Sequence, residues 1–75
     1  MKSLYVSLNS VDKVKEFVNT VGAIEGDVLL SCGRYVIDAK SIMGIFSLDL
    51  SKKLRLEIMD WKEEYIVPLE QYMSE

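Results

Sequence analysis

The sequence AKSIMGIFSL, residues 39–48, carries the strongest structural pattern in this chain. Its apolar residues recur at helical spacing, and Asp38, just before it, is of a type that caps helix starts. The run therefore predicts a helix. A helix has one narrow buried stripe, so we expect part of this apolar surface to be exposed. The apolar residues are Ile42, Met43, Ile45, Phe46 and Leu48.

Upstream of this helix, the pattern predicts a strand followed by a first helix. Residues 4–8 place apolar side chains at every second position, as a half-buried strand does. Over residues 11–21 the apolar positions recur at helical spacing, and Asn9 and Ser10 supply side-chain oxygens that can cap the first turn. We therefore expect a strand and then a helix of about three turns.

Between these two helices, the sequence predicts a β-hairpin. Residues 28–32 and 35–37 are two strand-like runs, and Gly33 stands between them. Gly22 and Gly26 bracket the loop that leads into the first of these runs. Because glycine favours turns and tight loops, these positions mark where strands and helices end.

A fourth strand is predicted over residues 54–58, where apolar and charged side chains alternate. The predicted order is strand, helix, strand, strand, helix, strand, helix, with no repeat or linker between the elements. This order indicates an α+β sandwich with helices on one face of the sheet and water on the other. At this length we expect a single domain over residues 1–75.

The last segment predicts a terminal helix, and two positions for its first residue are compatible with the pattern. Asp60 and Glu63 have the spacing of a capping box, and apolar residues recur at helical spacing from Tyr65. Pro68 conflicts with one continuous helix, because an interior proline removes a hydrogen bond and costs about 3 kcal/mol. The helix is therefore expected either to start near Val67 or to bend.

The composition excludes several classes of function. Nine Lys and Arg against twelve Asp and Glu give a formal charge of −3, without a basic stripe, so we expect no direct nucleic-acid partner. The apolar runs are far below the roughly 20 residues of a membrane-spanning helix, so we expect no membrane association and a cytoplasmic protein. Histidine is absent and Cys32 is the one cysteine, so we expect no metal and no cofactor.

Residues 39–48 closely resemble the second-helix signature of HPr, the histidine-containing phosphocarrier of the bacterial sugar phosphotransferase system. From Phe17 to about Ile58 the chain follows the pattern of that family without a gap, including the Gly33 hairpin. The resemblance implies an HPr-like open-faced β-sandwich, with a four-stranded antiparallel sheet in the order 1-4-2-3 and three helices on one face.

The phosphocarrier site of the family is not reproduced in this sequence. In HPr the first helix opens with Gly-Leu-His-Ala-Arg-Pro-Ala, whose histidine carries the phosphoryl group and whose arginine helps to hold it. Ungapped placement puts Ser10 at the histidine and Asp12 at the arginine. A serine phosphoester is too inert for the relay that a phosphohistidine performs, and a carboxylate repels the incoming phosphoryl group. The resemblance thus implies a degenerate phosphocarrier site at Ser10 and Asp12, and we expect no enzyme activity.

Two residues could still accept a phosphoryl group by other chemistry. Cys32 lies on the inferred inward face of a strand, where a free cysteine most often packs as a small apolar residue. Ser10 has the simpler explanation of capping a helix start, with a role as ester acceptor or anion contact left open.

A regulatory site at Ser41 is also implied by the resemblance. In many HPr proteins of Gram-positive bacteria, the serine of the Lys-Ser-Ile-Met-Gly run is phosphorylated by a dedicated ATP-dependent kinase, and Ser41 matches it. A position in the first turn of a helix favours added negative charge. The alternative is an unmodified helix-start serine.

Ile42, Met43 and Phe46 match the apolar patch with which the family meets its kinase and other partner proteins. An apolar surface that contains methionine adapts well to several partners. The alternative is that these residues are ordinary core.

Together these observations predict a regulatory protein-binding module of the phosphotransferase system or of carbon catabolite control. The expected partners are proteins, namely an HPr kinase, phosphotransferase-system components or a transcription regulator. We expect a monomer or a weak homodimer. Two alternatives remain, a phosphocarrier that uses a non-histidine acceptor and a structural domain that self-associates through its second helix.

Overall fold

The computed structural model describes residues 1–74 and has the predicted order of strands and helices. Glu75, the last residue of the predicted single domain, lies outside the described residues. The elements are β1 (Lys2–Val6), α1 (Val11–Gly22), β2 (Val28–Cys32), β3 (Tyr35–Asp38), α2 (Ile42–Phe46), β4 (Leu54–Ile58) and α3 (Ile66–Leu69). Short 3₁₀ helices at Glu63–Tyr65 and Glu70–Tyr72 flank α3.

The four strands form one antiparallel sheet in the predicted order β1-β4-β2-β3. In the register of the central strands, Leu56 of β4 lies opposite Leu4 on one side and Leu30 on the other. All three side chains are buried on the face that the helices cover. The opposite face exposes Tyr5 and Val36, so the fold is an open-faced α+β sandwich, as predicted.

One cluster of apolar side chains fills the space between the sheet and the helices. Helix α1 contributes Val14, Phe17 and Val21, which are completely buried and recur three and four residues apart. The C-terminal segment contributes Tyr72, whose ring meets that of Phe17 edge to face with the centroids 5.4 Å apart. Fully burying one such side chain stabilises the fold by roughly 1.5–3 kcal/mol, so this cluster holds the helices on the sheet.

The C-terminal residues pair with the end of the outer edge of β1, around Val6. The Ser7 N–H donates to the Tyr72 carbonyl, and the Ser74 N–H donates to the Tyr5 carbonyl, each at 2.8 Å. These bonds satisfy backbone groups that an edge strand would otherwise leave to water. They also explain why β1 ends at Val6, two residues before the predicted end, since the chain there turns to meet its own C-terminus.

The predicted terminal helix is broken into three short segments. Pro68 lies in the four-residue helix α3, and the tighter 3₁₀ turns on either side replace a regular helix. The predicted capping box is wrong, because the first turn starts after Lys62 without a side-chain cap. The Glu63 carboxylate instead accepts a hydrogen bond from Trp61 Nε1 at 3.1 Å. Within residues 1–74 no helix has the length and apolarity needed to cross a membrane.

Gly33 makes the tight turn between β2 and β3. Its φ is 59°, and Arg34 is not among the residues with positive φ. These φ signs are those of the two-residue type II′ hairpin turn, which requires glycine at its first position. The predicted hairpin is therefore confirmed.

Gly26 is expected to tolerate substitution worse than Gly22. The φ of Gly26 is 82°, and a Cβ there would lie 2.5 Å from Asp60 Oδ2. We expect Gly26→Ala to lower the free energy of unfolding by about 1–2 kcal/mol, measured by urea denaturation. Gly22→Ala is the matched control, because Gly22 ends α1 and a Cβ there meets no atom within 4 Å. We expect that variant to be as stable as the parent or up to about 1 kcal/mol more stable, and equal losses would contradict this explanation.

Candidate functional site

Ser41 is the N-cap of α2 rather than a residue of its first turn. Its backbone is extended, and its Oγ accepts a hydrogen bond from the Gly44 N–H at 3.2 Å. Asp38 was predicted to cap this helix, and that prediction is wrong. Its Oδ1 instead accepts the Lys40 N–H at 2.9 Å and closes the turn before the helix.

The Lys40 ammonium forms hydrogen bonds with two backbone carbonyls of the fold. Its Nζ donates to the Ile24 carbonyl at 2.7 Å and to the Gly26 carbonyl at 3.1 Å. Both carbonyls belong to the loop that follows α1, so Lys40 ties this loop to the segment that leads into α2. An ammonium has three donors, and two of them are already engaged. Lys40 is therefore held away from Ser41, its neighbour in the chain.

Helix α2 buries one side chain and presents most of its other apolar side chains outward. Ile45 is completely buried, whereas Met43 is 77% exposed, Phe46 is 40% exposed and Ile42 is half-buried. The expectation that part of this apolar surface is exposed is confirmed. We call Ile42, Met43 and Phe46 the α2 patch.

A groove of about 380 Å³ lies between the end of α2 and the start of α1. Its lining is mostly apolar and includes three residues with hydroxyl or amide side chains. We call it the α1–α2 groove. Its lining residues are Asn9, Ser10, Val11, Phe46, Leu50 and Ser51.

The groove brings together two regions that lie far apart in the sequence. Ser10, at the predicted degenerate phosphocarrier site, lines it beside Phe46 of the α2 patch. Ser10 is also the N-cap of α1, with its Oγ accepting the Lys13 N–H at 3.2 Å. Asp12 is exposed in the first turn of α1 and does not line the groove, and neither do Ser41 and Met43.

Of the six lining residues, only Ser10 and Phe46 were predicted from the sequence as site residues, and the apolar ones that were missed are Val11 and Leu50. Val11 was assigned to the apolar stripe of the first helix, yet it is 55% exposed and faces the groove. The remaining positions of that stripe, from Val14 onward, already account for the buried face of α1. Because the buried face is complete without Val11, the sequence indicated that Val11 was the stripe residue most open to exposure. Leu50 lies in a loop, where periodicity gives no signal.

Asp49 fixes the loop that carries Leu50 and Ser51 to the groove. Its Oδ1 accepts the Ser51 hydroxyl at 2.6 Å and the Ser51 N–H at 3.1 Å. These two hydrogen bonds, with a smaller contribution from the charge of Lys52, hold the pKa of the Asp49 carboxyl below its ordinary value. The carboxylate therefore remains ionised, and the turn intact, at neutral pH.

Cys32 is half-buried on the inward face of β2 and packs against the core. This position fits the apolar role expected for it. Among the described residues, no group of three or more His, Cys, Asp or Glu side chains is close enough together to hold a metal ion. At Ser10 and Ser41 both hydroxyls accept a backbone hydrogen bond as helix caps.

Lys40→Met is expected to lower the free energy of unfolding by about 1–3 kcal/mol. The substitution keeps an unbranched side chain but leaves the carbonyls of Ile24 and Gly26 without their shared donor. Thermal and urea denaturation would measure the loss. Lys13→Met is the control, because the Lys13 side chain is exposed on α1. An unchanged stability of Lys40→Met would contradict the proposed tie between the loop and α2.

Comparisons of this chain with protein-family models, with curated proteins and with solved structures gave no match.

Proposed function

We propose that this protein is a regulatory protein-binding module that docks partner proteins through the α2 patch and the α1–α2 groove. The observation that carries the proposal is the exposure of Met43 and Phe46 on a short helix, beside a groove of about 380 Å³. Exposed large apolar side chains next to a depression are typical of surfaces that other proteins cover.

The chemistry of this surface suits a protein partner. Met43 is flexible and polarisable, so it can fit against differently shaped apolar surfaces. Phe46 offers a flat, rigid ring at the mouth of the groove, the kind of side chain that anchors many interfaces. Ser10 and Ser51 line the groove, and hydrogen bonds to such polar residues would orient the partner.

The resemblance to HPr supports a place in the phosphotransferase system or in carbon catabolite control, in the cytoplasm. The partners proposed on this basis are an HPr kinase, phosphotransferase-system components or a transcription regulator. The absence of histidine supports a role without phosphoryl relay, since the Ser10 hydroxyl lacks the chemistry of an imidazole. We propose a regulator that binds proteins, with no catalysis of its own.

In this proposal, phosphorylation of Ser41 controls docking. The kinase would transfer the terminal phosphoryl group of ATP to Ser41 Oγ, releasing ADP and the hydroxyl proton. Ser41 is exposed and directly precedes Ile42 and Met43, so a charge of about −1.5 to −2 would appear at the border of the α2 patch. Helix α2 has only five residues, and Lys40 is engaged with loop carbonyls, so the protein itself offers the phosphate little compensating charge. A partner with arginine side chains would then favour the phosphorylated form.

Incubation with an HPr kinase and ATP tests the modification. Intact mass spectrometry is expected to show the addition of one phosphoryl group to the parent protein and none to Ser41→Ala. Ser10→Ala is the matched control, because Ser10 is also an N-cap serine and should leave the modification unchanged. If the parent mass does not change, Ser41 is not the switch. An acid-labile label from phosphoenolpyruvate and the first enzyme of the system would instead support the carrier alternative.

Substitution of Met43 tests the docking surface. Met43→Asp places a charge in the centre of the α2 patch, and we expect it to weaken binding to the HPr kinase about tenfold or more, measured by calorimetry. Val67→Asp is the matched control, because Val67 is also an exposed apolar residue but lies on α3. Equal affinities for the parent and Met43→Asp would place the kinase elsewhere on the molecule.

A further inference from the structure

Strand β3 is an open edge of the sheet with a self-complementary sequence. It has β2 as its only neighbour among the described strands, whereas the end of the opposite edge strand, β1, pairs with the C-terminal residues. Three of its four side chains are exposed, with Tyr35 at 74% and Val36 at 59%, and Ile37 is half-buried. With the preceding turn residue it reads Arg-Tyr-Val-Ile-Asp over residues 34–38, a basic end and an acidic end on either side of Val36.

The hydrogen bonds of the hairpin determine which backbone groups of β3 face outward. The Ala39 N–H donates to the Val28 carbonyl at 2.9 Å, and opposed residues in an antiparallel pair alternate between bonded and unbonded positions. The pair Val28–Ala39 is therefore a bonded one, and Ser31–Val36, three pairs further along the register, is an unbonded one. The N–H and C=O of Val36 therefore point away from β2 and into solvent.

We propose that two copies of this chain pair antiparallel through β3, about a two-fold axis at Val36. In this register the two Val36 residues exchange both backbone hydrogen bonds, and each Arg34 lies opposite Asp38 of the second copy. On the inward-facing side, each Tyr35 lies opposite Ile37 of the second copy. Opposite charges and aromatic–β-branched pairs directly across two strands are both stabilising.

Alternative registers are less favourable. Along β3 only every second residue has its N–H and C=O pointing outward. The pairing can therefore shift only by two residues at a time, which keeps Val36 opposite another residue with outward backbone groups. The two nearest shifts would place Arg34 opposite Val36 or opposite Lys40, which removes the opposite-charge pairs. Within residues 1–74 neither Arg34 nor Asp38 forms an ion pair, so both charges remain available to a second copy.

The dimer is expected to be weak. Strand β3 has four residues, and an interface of this size falls below the roughly 1,200 Å² that stable complexes bury. Association should therefore depend on concentration. The inference uses no residue of the α2 patch, so it is independent of the proposed function.

Sedimentation equilibrium over a concentration series up to about 1 mM tests the pairing, with charge reversals at the two ends of the edge. In a homodimer of Arg34→Asp or of Asp38→Arg, residues 34 and 38 carry the same charge, so like charges lie opposite each other at both ends of the paired strands. Each substitution is expected to raise the dissociation constant of the dimer about tenfold. An equimolar mixture of the two variants restores opposite charges at every pair, so a heterodimer should form with about the affinity of the parent. Native mass spectrometry separates the heterodimer from the two homodimers.

Met43→Asp is the control, because it charges the α2 patch and leaves β3 intact. It is expected to dimerise as the parent does, and circular dichroism would show that each variant is folded. A parent protein that stays monomeric throughout the series would overturn the inference. So would a dimer that Met43→Asp abolishes and the charge reversals leave unchanged, since the second helix would then be the interface. A mixture that fails to associate would also overturn it.

Discussion

The burial of β4 between β1 and β2 is the constraint on which the rest of the structure depends. Its apolar side chains, Leu54, Leu56 and Ile58, all point to the same face and are completely buried. Because side chains in a strand alternate with a period of two, a shift of one residue would expose this entire row to water. The register of β4 therefore decides which face of the sheet the helices cover.

The helices α1 and α2 bury different numbers of side chains against this face. Helix α1 contributes a full stripe and is held firmly, whereas α2 is short and buries Ile45 alone within its own length. A five-residue helix has little internal stability, so its position depends on the Ser41 cap, on the bonds made by Lys40 and on the packing of Ile45. The same shortness leaves Met43 and Phe46 with no partner helix to cover them. An exposed apolar surface at α2 thus follows from the way this helix is held.

The two edge strands of the sheet differ in how their outward backbone groups are satisfied. At β1 the Ser7 N–H donates to the Tyr72 carbonyl and the Ser74 N–H donates to the Tyr5 carbonyl, so the end of that edge is closed within the chain. At β3 the outward backbone groups of Val36 have no partner in the described part of the chain, and protection rests on the shortness of the strand and on the charges of Arg34 and Asp38. Such charges commonly deter uncontrolled pairing, but here their order along the strand also makes one antiparallel register self-complementary.

Local patterns in the sequence were sufficient for the element order, for the buried residues of α1 and β4 and for the Gly33 turn, because periodicity and turn chemistry depend on neighbouring residues. The absence of histidine was likewise a property of the sequence alone. Tertiary structure decided that Ser41 rather than Asp38 caps α2, and that the segment around Pro68 breaks into short turns. It also decided that Val11 is exposed beside Phe46. The caps themselves are local hydrogen bonds, but the position of α2 depends on the bonds from Lys40 to the loop after α1, and Val11 lines a groove with Phe46 across the fold. Such contacts between residues distant in the chain leave no local pattern from which they could be predicted.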